Sequence, residues 1–80
     1  MKPAVALVTG AGSGIGKAAA FGLASEGYKI GALGRTPEEI SSTVEEILAN
    51  GGQAVSLLAD VSDEGQMDAA VGQLVKQYGH

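Results

Sequence analysis

The sequence predicts an α/β fold in which a parallel sheet of three strands lies between layers of helices. Two observations lead to this prediction. Three short, mostly apolar segments, at residues 4–8, 28–34 and 54–59, suit strands that are buried on both faces. Each is followed by a longer segment in which apolar residues recur at helical spacing. The resulting order, β-α-β-α-β-α, favours parallel strands joined by right-handed crossovers.

The first strand is predicted at Ala4 to Val8, after a lead-in of Met1-Lys2-Pro3. It leads into Thr9-Gly10-Ala11-Gly12-Ser13-Gly14-Ile15-Gly16, and an Ala-rich helix is predicted from about Ile15 to Glu26. The glycines therefore lie where a buried strand turns into a helix. Free N–H groups and the positive end of the helix dipole favour a phosphate there. Glycine suits a positive-φ turn, the approach of a phosphate and a close helix–strand contact.

The helices are predicted from their end signals and their apolar positions. Gly27 would end the first, and Thr36 and Glu39 would form a capping box around Pro37 at the start of the second. Asn50-Gly51-Gly52 would end the second helix near Ala49, and Ser62 or Asp63 would cap the third. The expected buried residues are Ile15, Ala18, Ala19, Gly22 and Leu23 in the first helix, Ile40, Val44, Ile47 and Leu48 in the second, and Met67, Val71, Leu74, Val75 and Tyr78 in the third.

The spacing of the glycines distinguishes the possible kinds of loop. The dinucleotide pattern G-x-G-x-x-G fails, because its third glycine would fall on Ile15 or Lys17. The P-loop pattern also fails, because it needs a glycine at Ala11 and a hydroxyl residue at Ala18. The pattern that fits is T-G-x-x-x-G-x-G. A simple tight turn is the alternative, but four glycines in seven residues exceed what a turn needs.

The end of the second strand bears on the choice of ligand, because ligands of such sheets lie beyond the carboxyl ends of the strands. This end reads Gly34-Arg35-Thr36, with no acid at the tip. An acid would bind the ribose hydroxyls of NAD(H), whereas an arginine can pair with the 2′-phosphate of NADP(H). Arg35 therefore favours NADP(H) over NAD(H); the alternative is that it projects into solvent or only stacks on adenine.

The glycine loop, Arg35 and Asp60-Val61 together resemble the short-chain dehydrogenase/reductase family over the whole chain. The resemblance implies a Rossmann-type, three-layer fold with strand order 3-2-1, half of a doubly wound domain. It also implies that Asp60 accepts the exocyclic amine of adenine and that Val61 lines the ring pocket. The alternative is that Asp60 caps the third helix. The expected cofactor-binding residues are Gly10, Gly12, Ser13, Gly14, Ile15, Gly16, Arg35, Asp60 and Val61.

The resemblance further implies a catalytic group that residues 1–80 do not contain. Family members carry an Asn-Ala-Gly segment after a fourth strand, and then a Ser and a Tyr-x-x-x-Lys, whose tyrosine is the general acid/base. Tyr78 and His80 are not candidates for that role. We therefore expect residues 1–80 to be a single N-terminal dinucleotide-binding segment, truncated before strand four, that does not transfer hydride by itself. The alternative is a non-catalytic half-Rossmann module that binds nucleotides.

Composition argues against several other classes of protein. A net charge of −4 without a basic cluster argues against nucleic-acid binding, and no apolar run is long enough to span a membrane. The sequence has no cysteine and only one histidine, which argues against a metal site. The lack of cysteine also favours a cytoplasmic protein. We also expect a homo-oligomer, formed through the exposed apolar edge of the first strand or through the third helix.

Overall fold

The structure, a computed structural model, describes residues 4–78. The predicted lead-in Met1 to Pro3 and the terminal His80 lie outside the described residues. The elements follow in the order β1 (Val5–Thr9), α1 (Gly14–Ser25), β2 (Lys29–Gly34), α2 (Pro37–Ala49), β3 (Gln53–Leu58) and α3 (Glu64–Tyr78). This order confirms the predicted α/β fold, and the bounds of the strands differ from the predicted ones by no more than one residue.

The three strands form one parallel sheet in the order β1-β2-β3, which confirms the predicted order 3-2-1. In the central strand β2, Ile30 pairs with Ala6 on one side and with Ala54 on the other. The segment Ile30–Leu33 is buried throughout, and this burial explains why it forms a strand despite its weak propensity. A Cβ at Gly31 would lie 2.9 Å from the methyl carbons of Leu74, so α3 packs closely on this strand.

The core consists of two apolar clusters on opposite faces of the sheet, as expected for three layers. The cluster beneath α1 and α2 contains Val8, Ala11, Ala20, Ile30, Ala32, Ile40, Ile47 and Ala54. The cluster beneath α3 contains Leu33, Leu57, Ala59, Ala70 and Leu74. Alternate residues of β2 thus contribute to the two clusters. The carboxyl ends of the strands lie at one edge of the sheet because all the strands are parallel.

The helices bury partly different residues from those predicted. In α1 the prediction was wrong for Ile15, Ala18, Ala19 and Gly22, which are exposed, while Ala20 is buried. In α2 Leu48 is exposed and Thr43 is buried; in α3 Val71 and Val75 are exposed and Ala70 is buried. A sheet of three strands covers only a narrow stripe of each helix. Where small apolar residues surround a helix, as in α1, spacing alone does not select the stripe.

The ends of the helices follow some of the predicted signals. Gly27 has φ +96° directly after α1, and Pro37 occupies the first turn of α2, as predicted. The predicted capping box of α2 is wrong, because the hydroxyl of Thr36 makes no capping hydrogen bond. At α3 the predicted cap is Asp63, whose Oδ1 accepts a hydrogen bond of 3.1 Å from the N–H of Gln66.

Candidate functional site

The glycine loop between β1 and α1 has the geometry for which glycine is suited. Gly10 and Gly14 have φ values of +62° and +56°, in the left-handed region. A Cβ at Gly16 would overlap the carbonyl group of Gly10 and lie 2.8 Å from the carbonyl oxygen of Thr9. The first turn of α1 therefore lies directly against the end of β1, and no larger residue fits there without displacing the helix.

The loop is anchored to the neighbouring elements by two hydrogen bonds at Ala11. Its N–H donates to the carbonyl of Leu33 in β2 over 3.1 Å, and its carbonyl accepts a hydrogen bond of 3.0 Å from the Thr43 hydroxyl. Thr43 is completely buried in α2. This residue was not identified from the sequence, although a threonine at a core position of a helix is a signal that its hydroxyl has a specific partner.

The N-terminus of α1 is open toward solvent. The first intrahelical hydrogen bond runs from the N–H of Lys17 to the carbonyl of Ser13, so the three preceding amides, at residues 14–16, have no partner within the helix. Ser13 is the N-cap residue, but its hydroxyl makes no capping hydrogen bond, and the first turn contains no acid. These free donors and the helix dipole make the loop suitable for an anion.

Lys17 does not take the place of a P-loop lysine. Its Nζ lies 3.8 Å from Oε1 of Glu46 and 5.7 Å from the ring centre of Phe21. The side chain therefore joins α1 to α2, whereas a P-loop lysine has to reach the phosphates. This geometry agrees with the rejection of the P-loop on spacing.

The ends of β2 and β3 are held together next to the loop. The N–H of Ala59 donates to the carbonyl of Gly34 over 3.0 Å. Beyond this bond, Nε of Arg35 lies 4.0 Å from Oδ2 of Asp60. The Arg35 side chain is 74% exposed, so its guanidinium is accessible to a ligand and has Asp60 as its charged neighbour.

The carboxylate of Asp60 is held by Ser62. Its Oδ1 accepts hydrogen bonds from the N–H of Ser62 over 2.9 Å and from the Ser62 hydroxyl over 2.7 Å. These bonds, with a further contribution from the charge of Arg35, lower the pKa of Asp60 below its ordinary value. Asp63 caps α3, so the alternative role of Asp60 as the cap of that helix is wrong. Neither Ser62 nor Gln66, which accepts a hydrogen bond from the N–H of Asp60, was identified from the sequence as part of this site.

The structure brings the glycine loop, Arg35 and Asp60 to one edge of the sheet, whereas two other predicted residues point outward. Ile15 is 90% exposed and Val61 is also exposed, so neither contributes to the core. The carboxylate of Glu39, which was predicted to take part in a capping box, lies beside the loop instead. A Cβ at Gly12 would be 2.7 Å from Cβ of Glu39 and 3.0 Å from its Oε1. Glu39 therefore leaves room only for glycine at this position.

The described residues also contain a groove of about 560 Å³ between the C-terminal parts of α1 and α2. It is lined by Phe21, Gly22, Ala24, Ser25, Glu46, Ile47, Asn50 and Gly52. The only charged group in this lining is that of Glu46, which already has Lys17 as its partner. The groove lies at the opposite end of the strands from the glycine loop. Because the free amides of α1 and the charged side chains of Arg35 and Asp60 lie together at the loop edge, this edge is the candidate functional site.

Within residues 4–78, no three histidine, cysteine, aspartate or glutamate residues are grouped so that they could hold a metal ion. None of the helices in this range combines the length and the apolar character needed to cross a membrane.

The parallel sheet and the glycine loop between β1 and α1 define a Rossmann-type α/β segment. The family model described as short chain dehydrogenase matches residues 4–80. The chain belongs to the short-chain dehydrogenase/reductase family, which confirms the resemblance found in the sequence.

Known relatives match the chain over most of its length. The 3-oxoacyl-acyl-carrier-protein reductase of Staphylococcus aureus (strain Mu50) is 39% identical over 75 residues, which cover 92% of this chain and 30% of the relative. The short-chain dehydrogenase/reductase homolog YusS of Bacillus subtilis is 41% identical, and the match covers 94% of this chain and 70% of that protein. The chain thus spans less than a third of the Staphylococcus relative, but more than two thirds of YusS.

Solved structures share the fold. A 3-ketoacyl-ACP reductase from Sinorhizobium meliloti 1021 superimposes with a TM-score of 0.92 and 58% identity, covering 95% of this chain and 30% of that one. A short-chain dehydrogenase/reductase of unknown function from Caenorhabditis elegans, solved with cofactor, gives a TM-score of 0.89 and 33% identity, covering 95% of this chain and 29% of that one.

Proposed function

We propose that this chain is the cofactor-binding portion of an NADP(H)-dependent short-chain oxidoreductase. In the whole protein, hydride would move between NADP(H) and a carbonyl or alcohol substrate. The observation that carries the proposal is the convergence of the glycine loop, Arg35 and Asp60 at the carboxyl edge of one parallel sheet. At this edge a hydrogen bond of 3.1 Å joins the loop to β2, and a hydrogen bond of 3.0 Å joins the end of β2 to the end of β3.

Each part of this edge would bind a different part of the cofactor. The free amides at residues 14–16, with the hydroxyl of Ser13, would hold the pyrophosphate, and the left-handed turns at Gly10 and Gly14 would expose them. Gly12 and Gly16 would keep side chains out of the way of the phosphates and of α1. The exposed side chain of Ile15 would lie beside the bound cofactor.

Recognition of the adenosine part would fall to the other two strand ends. The guanidinium of Arg35 would pair with the 2′-phosphate, which favours NADP(H) over NAD(H). The carboxylate of Asp60 would accept the exocyclic amine of adenine, and Val61 would cover the ring. Support for these roles comes from the exposure of Arg35 and Val61 and from the 4.0 Å between Arg35 and Asp60.

Relatives provide a candidate substrate class for the whole protein. The Staphylococcus relative and the Sinorhizobium structure are both named as reductases of 3-oxoacyl or 3-ketoacyl groups on acyl carrier protein. We therefore propose a 3-oxoacyl thioester as the first substrate to test. The cofactor would supply the hydride, and this chain would hold and orient its adenosine and pyrophosphate.

A non-catalytic nucleotide-binding module is the second candidate. It is favoured by one observation: this chain covers 70% of YusS, so at least one curated relative is itself short. Oxidation of NADPH by the whole protein, in the presence of a 3-oxoacyl thioester, would support the oxidoreductase. Cofactor binding without any oxidation by the whole protein would support the module.

We further propose a cytoplasmic location and self-association of the chain. The cysteine-free sequence supports the location. Self-association is supported by the position of β1 at one end of the sheet and by the exposure of Val71 and Val75 on α3.

Chemical-shift mapping of the labelled chain with NADP⁺ tests the proposed site. We expect the largest changes at residues 10–16, at Arg35 and at Asp60-Val61. Changes confined to the groove between α1 and α2, with Phe21 and Asn50 as reporters, would contradict the proposal.

A further inference from the structure

We infer that Ser62 is a positioning residue for adenine recognition, because it occupies one oxygen of the Asp60 carboxylate with two hydrogen bonds and leaves the other oxygen to accept a hydrogen bond from the exocyclic amine. This inference rests on the proposed function and extends it to a residue outside the glycine loop and the strand ends. It follows from the way in which the two oxygens of Asp60 are used.

The oxygen Oδ1 is fully occupied. A carboxylate oxygen has two lone pairs, and Oδ1 receives the N–H of Ser62 at 2.9 Å and the Ser62 hydroxyl at 2.7 Å. Both donors belong to one residue, so they fix the plane of the carboxylate as well as its position. A ligand cannot take this oxygen without displacing Ser62.

The oxygen Oδ2 is free to accept a hydrogen bond. Within residues 4–78 no donor forms a hydrogen bond to it, and Nε of Arg35 stays at 4.0 Å, beyond hydrogen-bond distance. Arg35 thus supplies a nearby positive charge without occupying the oxygen. An amine that donates to Oδ2 would place its ring beside Arg35, where the same guanidinium could reach a 2′-phosphate.

The backbone of Asp60 is also fixed. Its N–H donates to Oε1 of Gln66 over 2.8 Å, and Nε2 of Gln66 donates to Oδ2 of Asp63 over 3.2 Å. The N–H of Asp63 in turn donates to the carbonyl of Asp60 over 2.9 Å. The first turn of α3 therefore holds the main chain of Asp60, while the hydrogen bonds from Ser62 hold its carboxylate.

The test compares NADP⁺ with its hypoxanthine analogue, in which a carbonyl replaces the exocyclic amine. We measure the ratio of the two dissociation constants by calorimetry for the unmodified chain and for Ser62→Ala, Ser62→Thr and Ser25→Ala. Ser25 is a matched control, because its hydroxyl also forms an exposed hydrogen bond, of 2.8 Å to the carbonyl of Gly22, but at the far end of α1.

We expect the unmodified chain to prefer the adenine cofactor and Ser62→Ala to lose roughly three- to tenfold of that preference, the equivalent of about one hydrogen bond. Ser62→Thr should restore the preference, and Ser25→Ala should not change it. If Ser62→Ala binds both ligands with the unmodified ratio, the inference is wrong. If the unmodified chain binds neither ligand, the proposed function is wrong, and the inference is wrong with it. This outcome differs from an unmodified ratio in Ser62→Ala, which refutes the inference alone.

The pH dependence of the same ratio provides a readout that a merely structural role would not change. The hydrogen bonds from Ser62 lower the pKa of Asp60, so the carboxylate should stay ionised, and the preference should persist, to a lower pH than for an ordinary aspartate. Ser62→Ala should lose its remaining preference at a higher pH. The charged side chains nearest to Asp60 are Arg35 and Asp63, and Asp63 accepts a hydrogen bond from Gln66. The titration of the 2′-phosphate affects both ligands alike. Coincident profiles for the two chains would overturn the inference.

Discussion

The hydroxyl oxygen of Thr43 lies 3.0 Å from the carbonyl oxygen of Ala11, and this buried hydrogen bond joins α2 to the middle of the glycine loop. The same hydroxyl is 3.1 Å from the carbonyl of Glu39, one turn earlier in α2. A hydroxyl has one hydrogen to donate, so the two carbonyls share it. Thr43 therefore connects the helix that follows β2 to the turn in which we place the pyrophosphate.

Replacement of Thr43 by valine should weaken both the fold and the binding of cofactor. The change keeps the shape of the side chain but leaves the buried carbonyl of Ala11 without this donor, at a cost of about 1–3 kcal/mol in the free energy of unfolding. Urea denaturation measures this loss, and Thr43→Ser, which keeps the hydroxyl, should be closer to the unmodified chain. Equal stability of Thr43→Val and the unmodified chain would show that the bond is not required.

Two glycines within α1 should respond in opposite ways to alanine. At Gly16 an added Cβ would overlap the carbonyl group of Gly10, so Gly16→Ala should destabilise the fold by about 1–3 kcal/mol and displace the loop. At Gly22 nothing lies within 4 Å of an added Cβ, so Gly22→Ala should stabilise the helix by about 0.5–1 kcal/mol. Thermal or urea unfolding of both variants tests the pair. A destabilised Gly22→Ala together with an unaffected Gly16→Ala would contradict this account of the helix–strand contact.

Self-association should depend on one of two surfaces, which separate variants distinguish. Val5→Lys places a charge on the edge strand β1, while Val71→Lys with Val75→Lys places two charges on the exposed flank of α3. Light scattering at high concentration should detect a dimer or larger species for the unmodified chain and a monomer for the variant that blocks the interface in use. A monomeric unmodified chain would refute the proposed self-association.

The sequence was sufficient to predict the order of the elements and of the strands, because apolar runs and glycine turns are local signals. It also placed the loop, Arg35 and Asp60 at the carboxyl edge, since the edge follows from topology once the strands are parallel. The predicted end of α1 at Gly27 was confirmed for the same local reason.

The features that the sequence did not predict depend on contacts between distant segments. The buried stripe of α1 is set by the narrow sheet beneath it, and the alanines on its other sides give no contrary signal. The position of Glu39 beside Gly12 and the bond from Thr43 to Ala11 both join residues separated by about thirty positions, as the separation of 32 for the latter shows. Ser62 is different: its bond to Asp60 spans two residues, a spacing typical of Asp-containing turns, and could have been predicted.

We propose that the glycine loop, Arg35 and Asp60 form one site that selects NADP(H). Calorimetric titration of NADPH and NADH into the unmodified chain, Arg35→Ala and Lys76→Ala tests it most directly; Lys76, in the last turn of α3, controls for the loss of one positive charge. Arg35→Ala should weaken NADPH by about 1.5–3 kcal/mol, the contribution of a charge-assisted hydrogen bond, and leave NADH and the Lys76→Ala results nearly unchanged. Equal weakening of NADPH and NADH by Arg35→Ala, or no effect on either, would contradict the claim.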